Sequence, residues 1–135
     1  MNGGALIRSR LRLALSLVLL GAASLASADE ALSPSEAVQH VGKTAKVCGH
    51  VASTTYAARS KGQPTFLNLG KPYPDQEFTA LIWGSRRPAF SYAPESLRGE
   101  TICVRGMIST YGGKAQIVVS DPAQLERVGG GQSGR

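Results

Sequence analysis

The sequence predicts an all-β domain, a small five-stranded barrel with a short N-terminal helix and a helical link between the third and fourth strands. Two alternating apolar runs, residues 65–70 and 77–84, flank the proline-rich segment 71–76. This arrangement is typical of a β-hairpin. Two further runs that resemble each other, residues 46–51 and 101–108, lie on either side of the hairpin. The hairpin and its two flanking runs predict a barrel that binds ligands on an exposed face.

The N-terminus predicts a secretory signal peptide at residues 1–28. Three arginines precede an apolar run at 13–20, and a small-residue cleavage site follows at 26–28. The apolar run is too short for a transmembrane helix, so we expect no stable membrane insertion after cleavage. The alternative is an uncleaved N-terminal anchor. Cleavage predicts a periplasmic or secreted bacterial protein.

Removal of residues 1–28 changes the charge of the chain. The full sequence has 135 residues, 15 Lys and Arg, and 9 Asp and Glu. Without the leader 135 − 28 = 107 residues remain, and 12 cations face 9 acids, for a net charge of +3. This length predicts one small domain, expected to be a monomer. The mild positive charge permits binding to polyanions without requiring it.

The elements before and after the barrel follow from caps and composition. Ser33 and Glu36 form a capping box around Pro34, which predicts a short helix within residues 29–43 that ends at Gly42. Residues 44–128 form the predicted barrel. The glycine-rich tail at 129–135 is predicted to be disordered.

Within the barrel, turn residues separate the elements. The predicted strands and connections are a first strand at 44–54, a polar loop at 56–63, the hairpin strands, a helical link at 88–98, a fourth strand at 101–110, a tight turn at 111–114, a fifth strand at 115–120 and one helical turn within 123–128.

Period-two alternation predicts which side chains face outward. Val47 and Val51 share one phase of the first strand, so Cys48 and His50 have the other. Cys103 has the outward phase of the fourth strand, a neighbour of the first in this barrel. We therefore expect a cross-strand disulfide between Cys48 and Cys103, as an exported protein with two cysteines favours. The alternative is a metal site formed by these two cysteines with His50.

The pattern resembles a known family at this point. The similarity is to bacterial exported OB-fold domains related to the tRNA-anticodon-binding type, and it lies in residues 47–51, 65–74, 78–84, 97–100, 105–108 and 111–119. The resemblance covers about residues 41–125. It implies a five-stranded Greek-key barrel. It also implies a binding role, because OB folds bind single-stranded nucleic acid, oligosaccharides and proteins.

The resemblance places ligand binding on the face of the hairpin strands and on the loops at 56–63 and 111–114. Single-stranded nucleic acid is bound by exposed rings and by cations along a groove. The alternating phase puts Phe66 and Trp83 outward as stacking candidates, although either ring could instead pack in the core. The candidate binding residues are Arg59, Lys61, Phe66, Asn68, Thr79, Trp83, Arg86, Tyr111 and Lys114.

Catalytic motifs are not found in the sequence. It has two histidines and scattered carboxylates, with no serine elbow, phosphate loop or haem motif. We therefore expect a non-catalytic module without cofactor that binds single-stranded nucleic acid or another polyanion. The alternative is an envelope module that recognises a protein partner or a small ligand through the same barrel.

Overall fold

The computed structural model describes Gly21 and residues 30–129. Apart from Gly21, the predicted signal peptide lies outside the described residues. The predicted disordered tail also lies outside them, apart from Gly129. Within the described residues, no helix is long and apolar enough to cross a membrane.

The described chain is mostly β and contains little helix. Seven strands are formed: β1 (Ala31–Leu32), β2 (Thr44–Tyr56), β3 (Thr65–Leu69), β4 (Phe78–Ile82), β5 (Thr101–Tyr111), β6 (Lys114–Val118) and β7 (Leu125–Arg127). Four short 3₁₀ helices accompany them, at Ala37–His40, Gly84–Ala89, Pro94–Leu97 and Pro122–Gln124. The strands predicted first to fifth correspond to β2, β3, β4, β5 and β6.

The seven strands of the described chain form one sheet, and five of them pair in a closed circuit that begins and ends at β2. β2 pairs with β3, β3 with β4, β4 with β6, β6 with β5, and β5 again with β2. The β4–β6 pair is parallel and the other four are antiparallel. β1 and β7 add to the outer edges of β2 and β5.

A β-bulge lets β2 pair with two different strands. Its first part pairs with β5, and its second part pairs with β3. The register steps from Val51 opposite Leu69 to Ser53 opposite Asn68, so Ala52 is the extra residue. A bulge bends its strand and increases the local twist. The long β2 strand can therefore turn from one neighbour to the next.

The core confirms the predicted inward phase. Apolar side chains at alternate positions of β2, β3, β4, β5 and β6 are fully buried. They include Val47, Val51, Leu67, Leu69, Phe78, Ala80, Ile82, Ile102, Val104, Ile108, Ala115 and Ile117. Leu97, from the 3₁₀ helix in the predicted link, is also buried in this core.

The predicted N-terminal helix is shorter than expected. Ser33 Oγ accepts the Glu36 N–H at 3.3 Å, but residues 34–36 form only a turn before the 3₁₀ helix Ala37–His40. At Gly42, φ is +88° and the N–H donates to the Ile108 carbonyl. This hydrogen bond joins Gly42 to β5, and the helix ends at His40, before Gly42. The turn at residues 34–36 packs against β2, since a Cβ on Gly49 would lie 2.6 Å from Pro34 Cγ.

The predicted helical turn within residues 123–128 is also only partly correct. The 3₁₀ helix Pro122–Gln124 is capped by Asp121, whose Oδ1 accepts the Ala123 N–H at 2.8 Å. β7 then begins at Leu125 and pairs with β5. The exposed edge of β5 supplies backbone donors and acceptors, and pairing with them outweighs the local helical tendency.

The disulfide Cys48–Cys103 is present. The two residues lie directly opposite each other in the β2–β5 ladder, with Cα atoms 4.0 Å apart. Both sulfurs are therefore unavailable as the thiolate ligands of the alternative metal site. Among the described residues, no group of three or more His, Cys, Asp or Glu side chains could hold a metal ion. A disulfide is compatible with an exported protein.

Candidate functional site

A groove of about 480 Å³ lies on the outer face of the sheet. Its floor belongs to β3, β4 and β6, and its sides are the loop at residues 70–77 and the turn between β5 and β6. The lining residues are Thr55, Phe66, Asn68, Tyr73, Pro74, Gln76, Thr79, Tyr111, Gly112, Lys114, Ala115 and Gln116.

A row of polar side chains crosses the floor of the groove. The strand registers place Ser53 opposite Asn68, Asn68 opposite Thr79, and Thr79 opposite Gln116. Asn68 Nδ2 donates to Ser53 Oγ at 3.0 Å, and Thr79 Oγ1 donates to Asn68 Oδ1 at 3.0 Å. Asn68 is 2% exposed, so its amide is used inside the fold.

Gln76 continues this chain of hydrogen bonds from the loop. Its Nε2 donates to Thr79 Oγ1 at 3.4 Å, and the side chain is only 7% exposed. Gln76 Oε1 is buried and has no hydrogen-bond partner. A buried acceptor without a partner costs free energy. Among the described residues, Gln76 Oε1 is the one buried side-chain nitrogen or oxygen atom without a hydrogen-bond partner.

Aromatic rings surround the groove. Tyr73 on the loop is 72% exposed and Tyr111 at the end of β5 is 74% exposed. Phe66 on β3 is half-buried and also lines the groove. Large aromatic side chains at such exposure offer flat surfaces to a ligand.

Lys114 holds the loop against the sheet. Its Nζ donates to the carbonyl oxygens of Pro74 at 2.6 Å and Gln76 at 2.8 Å. The Tyr73 N–H adds a third attachment, donated to Ser53 Oγ at 3.0 Å. The ammonium group of Lys114 therefore fastens the loop, and it is not the freely available cation that the sequence predicted.

Trp83 lies beyond the end of β4 and is 42% exposed. Its ring packs against the loop between β2 and β3, since a Cβ on Gly62 would lie 2.9 Å from the ring. The Gly84 N–H also donates to the Gly62 carbonyl at 2.9 Å. Trp83 is thus outside the core, in a shallow depression formed with Gly62, Gln63, Gly84 and Ser85.

Three exposed cations belong to the segments around Trp83. Arg59 and Lys61 are in the loop that carries Gly62, and Arg86 is in the 3₁₀ helix that follows Trp83. In the described part of the chain these three side chains have no acidic partner. We call Trp83 and these three cations the Trp83 edge.

Arg87, next to Arg86, is in a different environment. It donates to both carboxylate oxygens of Glu95 at 2.7 and 3.1 Å and to Thr65 Oγ1 at 2.7 Å. Its guanidinium also lies 3.6 Å from the centre of the Tyr56 ring. The hydrogen bonds from Arg87 lower the pKa of Glu95 below its ordinary value, and those with Glu95 raise the pKa of Arg87. Arg87 joins the link to the sheet.

The structure brings the nine predicted site residues into two groups. Those in the groove are Phe66, Asn68, Thr79, Tyr111 and Lys114, and those at the Trp83 edge are Arg59, Lys61, Trp83 and Arg86. The outward phase predicted for Asn68 and Thr79 is correct. Their exposure is not as expected, because the loop at residues 70–77 covers them.

Sequence reasoning missed seven of the twelve residues that line the groove, among them Gln116, Tyr73 and Gln76. Gln116 could have been found, because it shares the outward phase of β6 with Lys114. Tyr73 and Gln76 carry no periodic signal, since they belong to an irregular loop. Their place in the groove depends on how that loop folds back over the sheet.

Comparisons with known proteins reveal likeness in structure only. No protein-family profile matches the chain, and no curated protein matches its sequence. Among solved structures, the OBody AM2EP06 bound to hen egg-white lysozyme has a TM-score of 0.50 and 13% identity, covering 72% of this chain and 91% of that one. At this identity the likeness shows a shared fold and no more.

Two aminoacyl-tRNA synthetases are also similar in part. Asparaginyl-tRNA synthetase from Pyrococcus horikoshii has a TM-score of 0.48 and 16% identity, covering 74% of this chain and 23% of that one. A protein described as an aspartyl-tRNA synthetase from Leishmania major Friedlin has a TM-score of 0.47 and 14% identity, covering 76% and 21%. The chain spans less than a quarter of either synthetase. The described chain is mostly β, and the comparisons identify no bacterial exported family.

Proposed function

We propose that this protein is an exported, non-catalytic OB-fold module that binds single-stranded nucleic acid or another polyanion. The observation that carries the proposal is a groove lined by aromatic rings, together with the exposed ring and exposed cations of the Trp83 edge. Nucleic-acid strands are bound by such combinations of rings, on which bases stack, and cations, which neutralise phosphates.

The two groups have complementary roles in this proposal. Phe66, Tyr73 and Tyr111 supply flat surfaces in the groove. Arg59, Lys61 and Arg86 supply positive charge, and no acidic side chain of the described residues pairs with them. Binding driven partly by such cations releases counterions and weakens as salt rises.

The proposal also includes export, a closed barrel and a monomeric state. The disulfide Cys48–Cys103 supports an oxidising compartment. The closed circuit of β2, β3, β4, β6 and β5 supports a five-stranded OB barrel. We expect the protein to act as a monomer, which its elution volume in gel filtration would test.

The test is a titration of the oxidised protein with labelled single-stranded DNA and RNA at low and moderate salt. We expect saturable binding that weakens with salt. Phe66→Ala and Trp83→Ala should each weaken binding by about 1–3 kcal/mol at every sequence if a base stacks on the ring. Replacing Arg59, Lys61 or Arg86 by Ala should reduce the salt slope by about one per cation.

Arg98→Ala is the matched control for the cations. Arg98 is exposed and lines neither the groove nor the depression beside Trp83. It should leave the affinity and the salt slope unchanged. If the protein binds neither DNA nor RNA at low salt, the nucleic-acid function is wrong, and a search for envelope protein partners becomes the next step.

A further inference from the structure

We propose that the groove holds a single nucleobase and that Gln76 recognises it through the open carbonyl oxygen Oε1. The inference rests on the proposed function and narrows it. The groove would select nucleic acid over polyanions that have no bases, such as polyphosphate or sulfated polysaccharide.

One charged side chain, Lys114, is among the residues that line the groove. Its ammonium group keeps its positive charge, but two of its N–H groups already donate to the carbonyls of Pro74 and Gln76. The other lining side chains are neutral, whereas three exposed cations belong to the Trp83 edge. We therefore assign the uncharged part of the ligand to the groove and its charged backbone to the Trp83 edge.

The direction of these hydrogen bonds defines which kind of ligand group could pair with Gln76 Oε1. Gln76 Nε2 donates to Thr79, Thr79 donates to Asn68 Oδ1, and Asn68 Nδ2 donates on to Ser53 Oγ. Among the buried side-chain nitrogen and oxygen atoms of this chain, Gln76 Oε1 is the one that has no hydrogen-bond partner in the described residues. A ligand that completes the network must bring an N–H or O–H donor.

The loop that carries Gln76 also supplies a ring. Tyr73 is exposed beside the groove, and Tyr111 is exposed on the opposite wall formed by the β5–β6 turn. Flat aromatic surfaces with a polar acceptor in the same groove match a planar heterocycle with N–H groups on its edge. Gln76 Oε1 is itself buried, so the base reaches it once the Gln76 side chain turns toward the groove that it lines.

The test compares base-bearing and abasic single strands of equal length at one salt concentration. The full-length oxidised protein should bind the base-bearing strand at least about fivefold more tightly than the abasic strand. Gln76→Met, which keeps the length of the side chain but removes the acceptor, should reduce this preference by about fivefold or more. Gln39→Met is the matched control, since Gln39 is exposed and lies outside the groove.

A second measurement does not depend on any variant being folded. Titration of the wild-type protein with the neutral nucleosides adenosine and cytidine should shift the NMR signal of the Gln76 side-chain amide. Base-bearing and abasic strands that bind equally, with no nucleoside shift at Gln76, would overturn the inference and leave the proposed function standing. Failure of every strand to bind would overturn both.

Discussion

Two clusters of polar side chains contact the sheet, and they differ in whether a buried polar atom is left without a hydrogen-bond partner. In the cluster around Arg87, the guanidinium meets both oxygens of Glu95, the hydroxyl of Thr65 and the ring of Tyr56. In the groove, the chain that ends at Gln76 leaves Oε1 without a partner. Within the described residues, the groove cluster contains a buried acceptor without a partner, and the Arg87 cluster does not.

The difference separates a structural cluster from a candidate binding cluster. A polar network whose members are all paired stabilises the packing around it. An unpaired buried acceptor costs stability, so it is expected where a ligand later supplies the missing donor. Arg86 and Arg87 are neighbours in the sequence but differ in the same way. Arg87 is paired with Glu95, whereas Arg86 is exposed and has no acidic partner among the described residues.

The largest expected effect comes from breaking the Arg87 cluster. Arg87→Met keeps the length of the side chain but removes the ion pair with Glu95 and the hydrogen bond to Thr65. We expect a loss of about 2 kcal/mol in the free energy of unfolding, measured by chemical denaturation. The salt slope of nucleic-acid binding should remain as in the wild type.

Arg86→Ala should show the opposite behaviour. Arg86 is exposed and has no acidic partner in the described chain, so its loss should change stability by less than about 0.5 kcal/mol. It should reduce the salt slope of binding. Equal loss of stability in both variants would contradict the distinction between the two arginines.

A somewhat smaller effect should follow from interrupting the groove network. Thr79→Val preserves shape but leaves Asn68 Oδ1 without its donor and Gln76 Nε2 without its acceptor. We expect unfolding to become easier by about 1–2 kcal/mol in denaturant titrations. Thr110→Val, at an exposed position of β5, is the control and should be nearly neutral.

The smallest expected effect is a pH dependence of the Arg87 cluster. Arg87 holds the pKa of Glu95 below its ordinary value of 4.5 in the folded protein. The unfolded state therefore takes up the proton first, so the stabilisation is present above about pH 4.5 and is lost as pH falls through the folded-state pKa. The difference in melting temperature between wild type and Glu95→Gln should shrink over that range.

The double variant Arg87→Met with Glu95→Gln provides the check on this assignment. Without Arg87, replacing Glu95 should no longer remove acid-sensitive stability. If the pH dependence attributed to Glu95 persisted in the Arg87→Met background, a different partner would have to be responsible.

Alternation predicted the regular part of the fold. It identified the five paired strands, the inward phase of Val47 and Val51, and the outward phase that lets Cys48 meet Cys103. These features depend on the period of two along a strand, which is written directly in the sequence. The short β1 and β7 strands were missed, because they contain too few residues to show a period.

The helical predictions were weaker for a related reason. A capping box around Pro34 indicates where a helix can begin, but the length of the helix depends on competing partners. Here the Gly42 N–H finds the Ile108 carbonyl, and β7 finds the edge of β5. Such partners come from distant parts of the chain.

The sequence by itself determined the five strands β2 to β6, their facing, the disulfide pair and the outward phase of Phe66 and Trp83. Only the tertiary structure decided that Lys114 clamps a loop, that Asn68 and Thr79 become the floor of a groove, and that Gln76 lies over them with an open acceptor. The reason is physical. Facing along a strand follows from local backbone geometry, whereas the pairing of a polar group depends on which distant groups the folded chain brings within hydrogen-bond distance.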